Sequence, residues 1–422
     1  MAATYDTALT IFCEVLRQHD QLALAETGCF VRDVFGKIRL LVQRPGADLQ
    51  AISKAVHEQL GPYAADFLES LVLLHNDAEQ ANVGIAIPEN VSLQDGSQVA
   101  VKIIDRRIGG KDWLKRPEEA EFPVPALVFW SLKGGVGRTT ALSVLAADLA
   151  RRSHNVLVLD LDLEAPGVGE QLLVESERPK FGVLDYLVEG AIGGDVDGVA
   201  NDIVGISTLV EGAGLIHVCP AIGRVSVENP AGYVGKLFRS YFPSGDRSLS
   251  GRVKELVASL SGKFRYDAIL IDARAGINEA TAAAIIGLDA DVLLFGHQTP
   301  QTFAGYRLAL AHLSRFVERN DSEWRLRMKM VHAKANPLPA LQSGFRDSSY
   351  ELFAAWMYDE AGDFSFDVED VNAPHYPWVI LDDSKFLDFD PVKNPELLTT
   401  DLARATFGPF INNAIERLRL TQ

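Results

Sequence analysis

Cysteine is scarce in this chain. There are three in 422 residues, Cys13, Cys29 and Cys219, odd in number and far apart. That excludes a disulfide framework and a cysteine-based zinc site, and it suits a reducing cytoplasm, where the chain is expected to work. The nine histidines show no metal-ligand spacing. No stretch of 18 consecutive apolar residues occurs, so no membrane span is expected. The first ten residues lack a basic stretch followed by an apolar run, so a secretory signal is not expected either. Positive charge is also short: 40 Lys and Arg face 57 Asp and Glu, a formal net charge of −17. A nucleic-acid backbone would be repelled unless basic residues gather locally, so the acidic balance disfavours nucleic acid as a partner.

Internal repeats and low-complexity segments are absent, and the length suits two or three structural units. Residues 1–114 read as a small α+β domain. Ala8, Leu9, Phe12, Val15 and Leu16 recur at helical spacing. Residues 29–34 and 37–42 flank Phe35-Gly36 as a hairpin, residues 47–60 and 64–75 look helical, and 99–104 looks like a strand. Residues 115–125, rich in Pro and Glu, read as a linker. The pattern then changes. Short apolar runs at 126–130, 156–161, 215–218, 268–271, 292–295 and 328–331 alternate with helical segments that include 140–151, 248–260, 279–288 and 302–319. The expected fold is therefore α/β, a mostly parallel sheet with helices on both faces, preceded by the small α+β domain. The core domain is placed at 126–337. The extension at 338–422 ends in a somewhat amphipathic helix, 403–420, expected to dock on that domain; a membrane-surface helix is the competing reading.

Ligands on such sheets bind at the carboxyl ends of the strands, and the chemistry-bearing residues fall there. Directly after the run 126–130 come Ser131-Leu132-Lys133-Gly134-Gly135-Val136-Gly137-Arg138-Thr139-Thr140, and then a helix. A strand, a glycine-rich turn and a helix in that order form the context of a phosphate loop. Gly134, Gly135 and Gly137 let backbone N–H groups close around phosphate oxygens, and the helix N-terminus favours the anion. Thr139 is placed to ligate Mg²⁺ and Thr140 to touch a phosphate nearer the ribose.

The run Lys133–Thr140 resembles the deviant Walker A motif of the ParA/MinD superfamily of P-loop ATPases, and more closely a subgroup with Lys-Gly-Gly-Val-Gly-Arg in the loop. The resemblance covers about residues 125–337, half the chain. It implies ATP and Mg²⁺ as ligands, with Val136 and the loop glycines around the phosphates. It makes Lys133 the signature lysine, which in the family reaches across a nucleotide-bridged homodimer to the partner's phosphates. Two positions depart from the pattern. Leu132 stands where an ordinary Walker A has its first Gly, and Arg138 stands where it has lysine. Arginine still binds phosphate bidentately but is bulkier, so nucleotide binding carries over more directly than fast hydrolysis.

Two further stretches extend the resemblance. Residues 156–167 end in Asp160-Leu161-Asp162 and then Glu164-Ala165-Pro166-Gly167, similar to the family's Asp-x-Asp-Pro switch. By analogy Asp162 orients the attacking water or an outer-shell water of the metal, and Asp160 supports the metal site; a solvated carboxylate pair capping a strand is the plainer alternative. Residues 266–276 resemble a Walker B strand ending at Asp272, a Mg²⁺ ligand directly or through water. Arg274, in the loop that follows, could meet phosphate, meet the partner chain, or stand at the surface. His297 and Gln298 sit at another strand end without an assigned role. Lys334 and Asn336 fall where the family contacts adenine. The cluster from Asp105 to Trp113, with Arg, Lys and Trp together, reads either as an anion-recognition loop or as an exposed turn.

The expectation is a slow ATP hydrolase acting as a nucleotide-driven homodimerisation switch, with a protein partner engaged through the N-terminal domain. Three readings compete: a nucleotide-holding regulatory or scaffold module with little turnover, a DNA-partition or positioning ATPase, and a nucleotide-dependent ligase with a second substrate motif hidden near residues 378–390.

Overall fold

The computed structural model describes residues 3–42, 49–65, 72–74, 86–107, 109–117, 124–242, 248–317, 323–359 and 364–420. The chain divides into two compact units, Met1–Leu114 and Lys115–Gln422.

The first unit is a five-stranded mixed sheet with helices. Its strands are β1 (Cys29–Arg32), β2 (Ile38–Val42), β3 (Val72–Leu74), β4 (Ile87–Ser92) and β5 (Gln98–Asp105), in the order β3-β2-β1-β5-β4. The hairpin β1–β2 turns where expected. Asp33 Oδ1 accepts the amides of Phe35 and Lys37, both at 2.9 Å, and Gly36 takes φ +91°, which favours glycine. Helix Ala8–Gln18 buries Leu9, Phe12, Val15 and Leu16, and the ring of Phe12 meets Phe30 edge-on at 5.2 Å. The helix expected at 47–60 spans Leu49–Leu60. The helix expected at 64–75 gives way at its described ends: Ala64 bridges to Ile38, and Val72–Leu74 pairs in parallel with β2; residues 66–71 and 75 lie outside the described residues. A short apolar run carries no period that separates strand from helix, and here the free edge of β2 decides. In the cluster 105–113, Asp105 pairs with Arg107 at 2.7 Å, and Asp112 and Trp113 are buried, so its tryptophan is not exposed.

The second unit is an eight-stranded sheet. Its strands are β6 (Ala126–Ser131), β7 (Val156–Leu161), β8 (Gly205–Ile206), β9 (Ile216–Cys219), β10 (Ala268–Ala273), β11 (Asp291–Gly296), β12 (Met328–Ala335) and β13 (Trp378–Leu381). They lie in the order β13-β12-β11-β6-β10-β7-β9-β8. Every pairing is parallel except β8 with β9. The fold is thus the expected α/β class, a mostly parallel sheet flanked by helices as in P-loop NTPases, after a smaller strand-and-helix region. Every residue of β6, β7 and β10 is buried, which is why these strands read as unbroken apolar runs.

Helices at residues 138–151, 249–263, 279–285 and 300–313 start within two residues of expectation; the last stops short of the expected 319, where residues 318–319 lie outside the described residues. Helix Arg138–Arg151 shares one core with the C-terminal helix Thr400–Arg417. Phe410 of that last helix stands 6.2 Å from Phe129, 6.1 Å from Phe295 and 6.0 Å from Trp378, centroid to centroid. Its apolar stripe is therefore spent on the sheet, and the helix accommodates Gly408-Pro409 midway. Among the described residues no helix is long and apolar enough to cross a membrane. Of the stretch read as a linker, residues 118–123 lie outside the described residues.

Candidate nucleotide site

Strands β6, β7 and β10 are neighbours and end at the same level: Asp272 is paired in register with Asp160 and with Phe129. Parallel pairing thus delivers the phosphate loop and three carboxylates to one rim of the sheet. The loop leaves β6 through exposed Lys133, Gly134 and Gly135 and enters the helix at Arg138. Gly135 and Gly137 take φ +77° and +88°, where a side chain would be strained. A Cβ added at Gly134, Gly135 or Gly137 would meet nothing within 4 Å. Open space therefore surrounds the loop glycines, as an anion cradle requires. Val136 is buried and anchors the loop, while Thr139 and Thr140 remain half-buried at the helix start.

Thr139 donates its hydroxyl to Asp272 Oδ2 at 2.6 Å, whereas Asp272 Oδ1 is buried without a partner. Arg138 is buried as well. Its Nη1 donates to the carbonyl of Ala273 at 2.6 Å and its Nη2 stands 3.3 Å from Asp162 Oδ2. The guanidinium therefore braces the ends of β7 and β10 and does not point into the cradle. The two oxygens of Asp160 accept the amides of Asp162 (3.0 Å) and Val168 (3.3 Å), so it shapes the loop after β7 while lying close enough to Asp272 to feel its charge.

Three carboxylates and one guanidinium share this buried cluster. Burial, then repulsion from Asp272 and Asp162, raises Asp160 well above the usual carboxylate range. Burial lifts Asp272 to about 6 against the pull of Arg138 and of the Thr139 hydroxyl. Asp162 also goes up, because burial outweighs the attraction of Arg138 and Arg274. Excess negative charge, an unpartnered carboxylate oxygen and an adjacent hydroxyl fit a hard divalent cation. Among the described residues no group of three or more His, Cys, Asp or Glu could hold a metal on its own. A Mg²⁺ here would rest on Thr139, Asp272, water and phosphate oxygens.

The loops after β7 and β10 are tied together. Glu164 Oε1 accepts the Tyr241 hydroxyl at 2.5 Å and Arg274 Nη1. Tyr233, at the other end of helix Tyr233–Ser240, donates its hydroxyl to the carbonyl of Leu163. The β10 loop is also pinned to β6: the Gly276 amide donates to the Ser131 carbonyl at 2.9 Å, and Trp130 Nε1 to the Gly276 carbonyl at 3.1 Å. The sequence marks Arg274 and the run that begins at Glu164, but neither their pairing nor the two tyrosines. Their pairing spans 110 and 77 positions in the chain, and no local pattern marks it.

On the other side of the loop, Lys334 takes φ +51° and its Nζ stands 3.3 Å from the carbonyl of Gly135. Lys334 thus reaches the phosphate loop. Asn336, expected beside it at the base, is exposed and caps a local turn by accepting the Leu338 amide at 2.9 Å. A narrow cleft beyond Thr140 is lined by Lys334, Ile380, Asp382, Phe386 and Phe407, most of them from the C-terminal extension. His297, just past β11, and His332, within β12, are pushed down by burial, the first also by the charges of Lys334 and Lys133. A larger cavity of about 760 Å³ lies at the opposite ends of the strands, lined in part by Asp289, Asp291, Arg327 and Arg417. Those charges pair with one another, Arg327 with Asp289 and Arg417 with Asp291, so volume is a poor guide and the strand-end rule selects the phosphate loop.

Solved structures similar to this chain include the cell division ATPase MinD of Pyrococcus furiosus, 19% identical over 69% of this chain and 98% of that one, with a TM-score of 0.42. The ParA of pNOB8 is 16% identical over 70% and 98%, with a TM-score of 0.45. The MinC:MinD cell division complex of Aquifex aeolicus is 19% identical over 71% and 97%, with a TM-score of 0.43. No curated protein matches the chain. Residues 127–330, just under half of the chain, match the CobQ/CobB/MinD/ParA nucleotide-binding domain, and the phosphate loop, Asp160, Asp162 and Asp272 all lie inside that stretch.

Proposed function

We propose that this chain is a Mg²⁺-dependent, ATP-binding P-loop ATPase whose nucleotide state governs the pairing of two copies and, through it, a protein partner. The observation that carries this reading is the meeting of Thr139 with Asp272 beside a glycine cradle, inside a cluster of buried carboxylates short of positive charge. The cradle amides of residues 134–140 bind and orient the phosphates. Thr139 and Asp272 would hold Mg²⁺, which supplies neutralisation of phosphate charge when bound. Asp162, raised in pKa yet hydrogen-bonded, is suited to orient a water and accept its proton. Lys133, exposed at the loop, is free to reach a second copy. The test is phosphate release beside light scattering, for wild type, Lys133→Ala and Asp162→Ala. Slow turnover lost in Asp162→Ala, and an ATP-dependent dimer lost in Lys133→Ala, are expected. A dimer unchanged in Lys133→Ala would sink the switch.

One observation favours a second reading, a nucleotide-holding module with negligible turnover: Arg138 is committed to Ala273 and Asp162. Tight ATP binding without phosphate release, not improved by Arg138→Lys, would select it.

A further inference from the structure

Arg274 and Glu164 form the one ion pair described between the loop after β10 and the loop after β7. It is an unequal pair. Arg274 engages through Nη1 alone, its side chain 36% exposed, and Glu164 divides the same oxygen between Arg274 and Tyr241. Glu164 Oε2 is buried and unpartnered. A guanidinium prefers two parallel bonds to an anion, and this contact offers it one. Arg274 is followed by Ala275 and Gly276, the latter at φ +89°, so the backbone on that side carries little bulk. Two residues before it is Asp272, and one before it the carbonyl that Arg138 holds.

We propose that Glu164 sets the discrimination between nucleoside tri- and diphosphate by holding Arg274, which otherwise turns to the third phosphate. The inference rests on the nucleotide-binding reading above and adds a residue that determines specificity. A diphosphate lacks the third phosphate, and Arg274 stays with Glu164. A triphosphate brings three more oxygens and further charge, and competes for the guanidinium in the bidentate geometry that Glu164 does not supply. Arg274 contacts the ligand; Glu164 acts through it and is a positioning residue. Tyr241 fixes the carboxylate, so departure of Arg274 leaves Glu164 with one donor instead of two and alters the grip of the Tyr233–Ser240 helix on the β7 loop.

The experiment is equilibrium binding of ADP and of an imido-bridged, non-hydrolysable ATP analogue, both with Mg²⁺, to the full chain. Wild type, Glu164→Gln, Glu164→Asp, Arg274→Ala and the double variant Glu164→Gln/Arg274→Ala are compared. Glu164→Gln should tighten the triphosphate by about three- to tenfold, the scale of a partly exposed ion pair, and leave ADP within about twofold. Glu164→Asp, which keeps the charge but shortens the reach, should shift the ratio the same way and less, and it serves if the Gln variant does not fold. Arg274→Ala should weaken the triphosphate alone, and the added Glu164→Gln should then do nothing. An unchanged triphosphate-to-diphosphate ratio in both Glu164 variants, or an equal shift in the Arg274→Ala background, overturns the proposal while the nucleotide reading stands. A wild type that binds neither nucleotide overturns both.

Discussion

The guanidinium of Arg138 stands 3.3 Å from the carboxylate of Asp162, in the interior and behind the phosphate loop. The same group holds the carbonyl of Ala273, so one side chain of the loop helix ties together the two strand ends that follow it in the chain. A lysine ammonium is a compact point charge without the planar fork that serves two acceptors set apart.

Arg138→Lys should therefore destabilise the chain in the absence of nucleotide, by about 1–3 kcal/mol, because one buried acceptor loses its donor. Chemical denaturation without ligand reads this directly. An unchanged midpoint would mean that the two contacts contribute nothing, and that Arg138 serves phosphate alone.

The Thr139–Asp272 pair predicts a metal effect. Asp272→Asn keeps an acceptor for the Thr139 hydroxyl but removes the charge, and should weaken Mg²⁺-dependent nucleotide binding by about 10–100-fold. Titration of a fluorescent nucleotide with and without Mg²⁺ checks it. Equal Mg²⁺ dependence in variant and wild type would remove Asp272 from the metal site.

His332 predicts a pH effect. It is buried, its ring lies parallel to Phe345 at 4.2 Å, and burial pushes it down to about 4 from an ordinary 6.5. Between those values the unfolded chain binds the proton and the folded chain does not, so stability falls as pH drops from 6.5 toward 4. The loss is about 3 kcal/mol for this group. Asp272, raised to about 6, pulls the other way in an overlapping window. The informative quantity is thus the difference between wild type and His332→Phe, followed by thermal unfolding: the variant should lose less stability on acidification. Parallel pH profiles would show that His332 titrates normally.

Phe410 predicts a core effect. Phe410→Ala removes a ring that meets Phe129, Phe295 and Trp378, and should cost about 3–5 kcal/mol. Urea unfolding measures it. A cost below about 1 kcal/mol would mean that the terminal helix is not part of the cooperative core.

The central sheet was legible in the sequence because its strands are buried on both faces, and burial writes itself as apolar runs such as Leu157–Leu159. The phosphate loop was legible because its glycines and its strand–turn–helix setting are local. Strands β3 and β13, three and four residues long, carry no usable period, and both exist only because a neighbour offers an edge. Asp160 illustrates a subtler limit. Its position after the loop helix marks it as a candidate for the site, and only the fold reveals that its oxygens accept the amides of Asp162 and Val168. The Glu164–Arg274–Tyr241 contact is wholly tertiary and leaves no trace in any window of residues.

The packing of Phe410 on Phe129 also bears on how the protein is made. The strand that carries the phosphate loop leaves the ribosome long before the helix that completes its core, and strands that pair in parallel across such separations close slowly. Until residues 400–417 emerge, the faces of Phe129, Phe295 and Trp378 that meet Phe410 have no cover. A nascent chain therefore displays that apolar flank until residues 400–417 are made, and its dependence on chaperones should grow as translation of that segment slows.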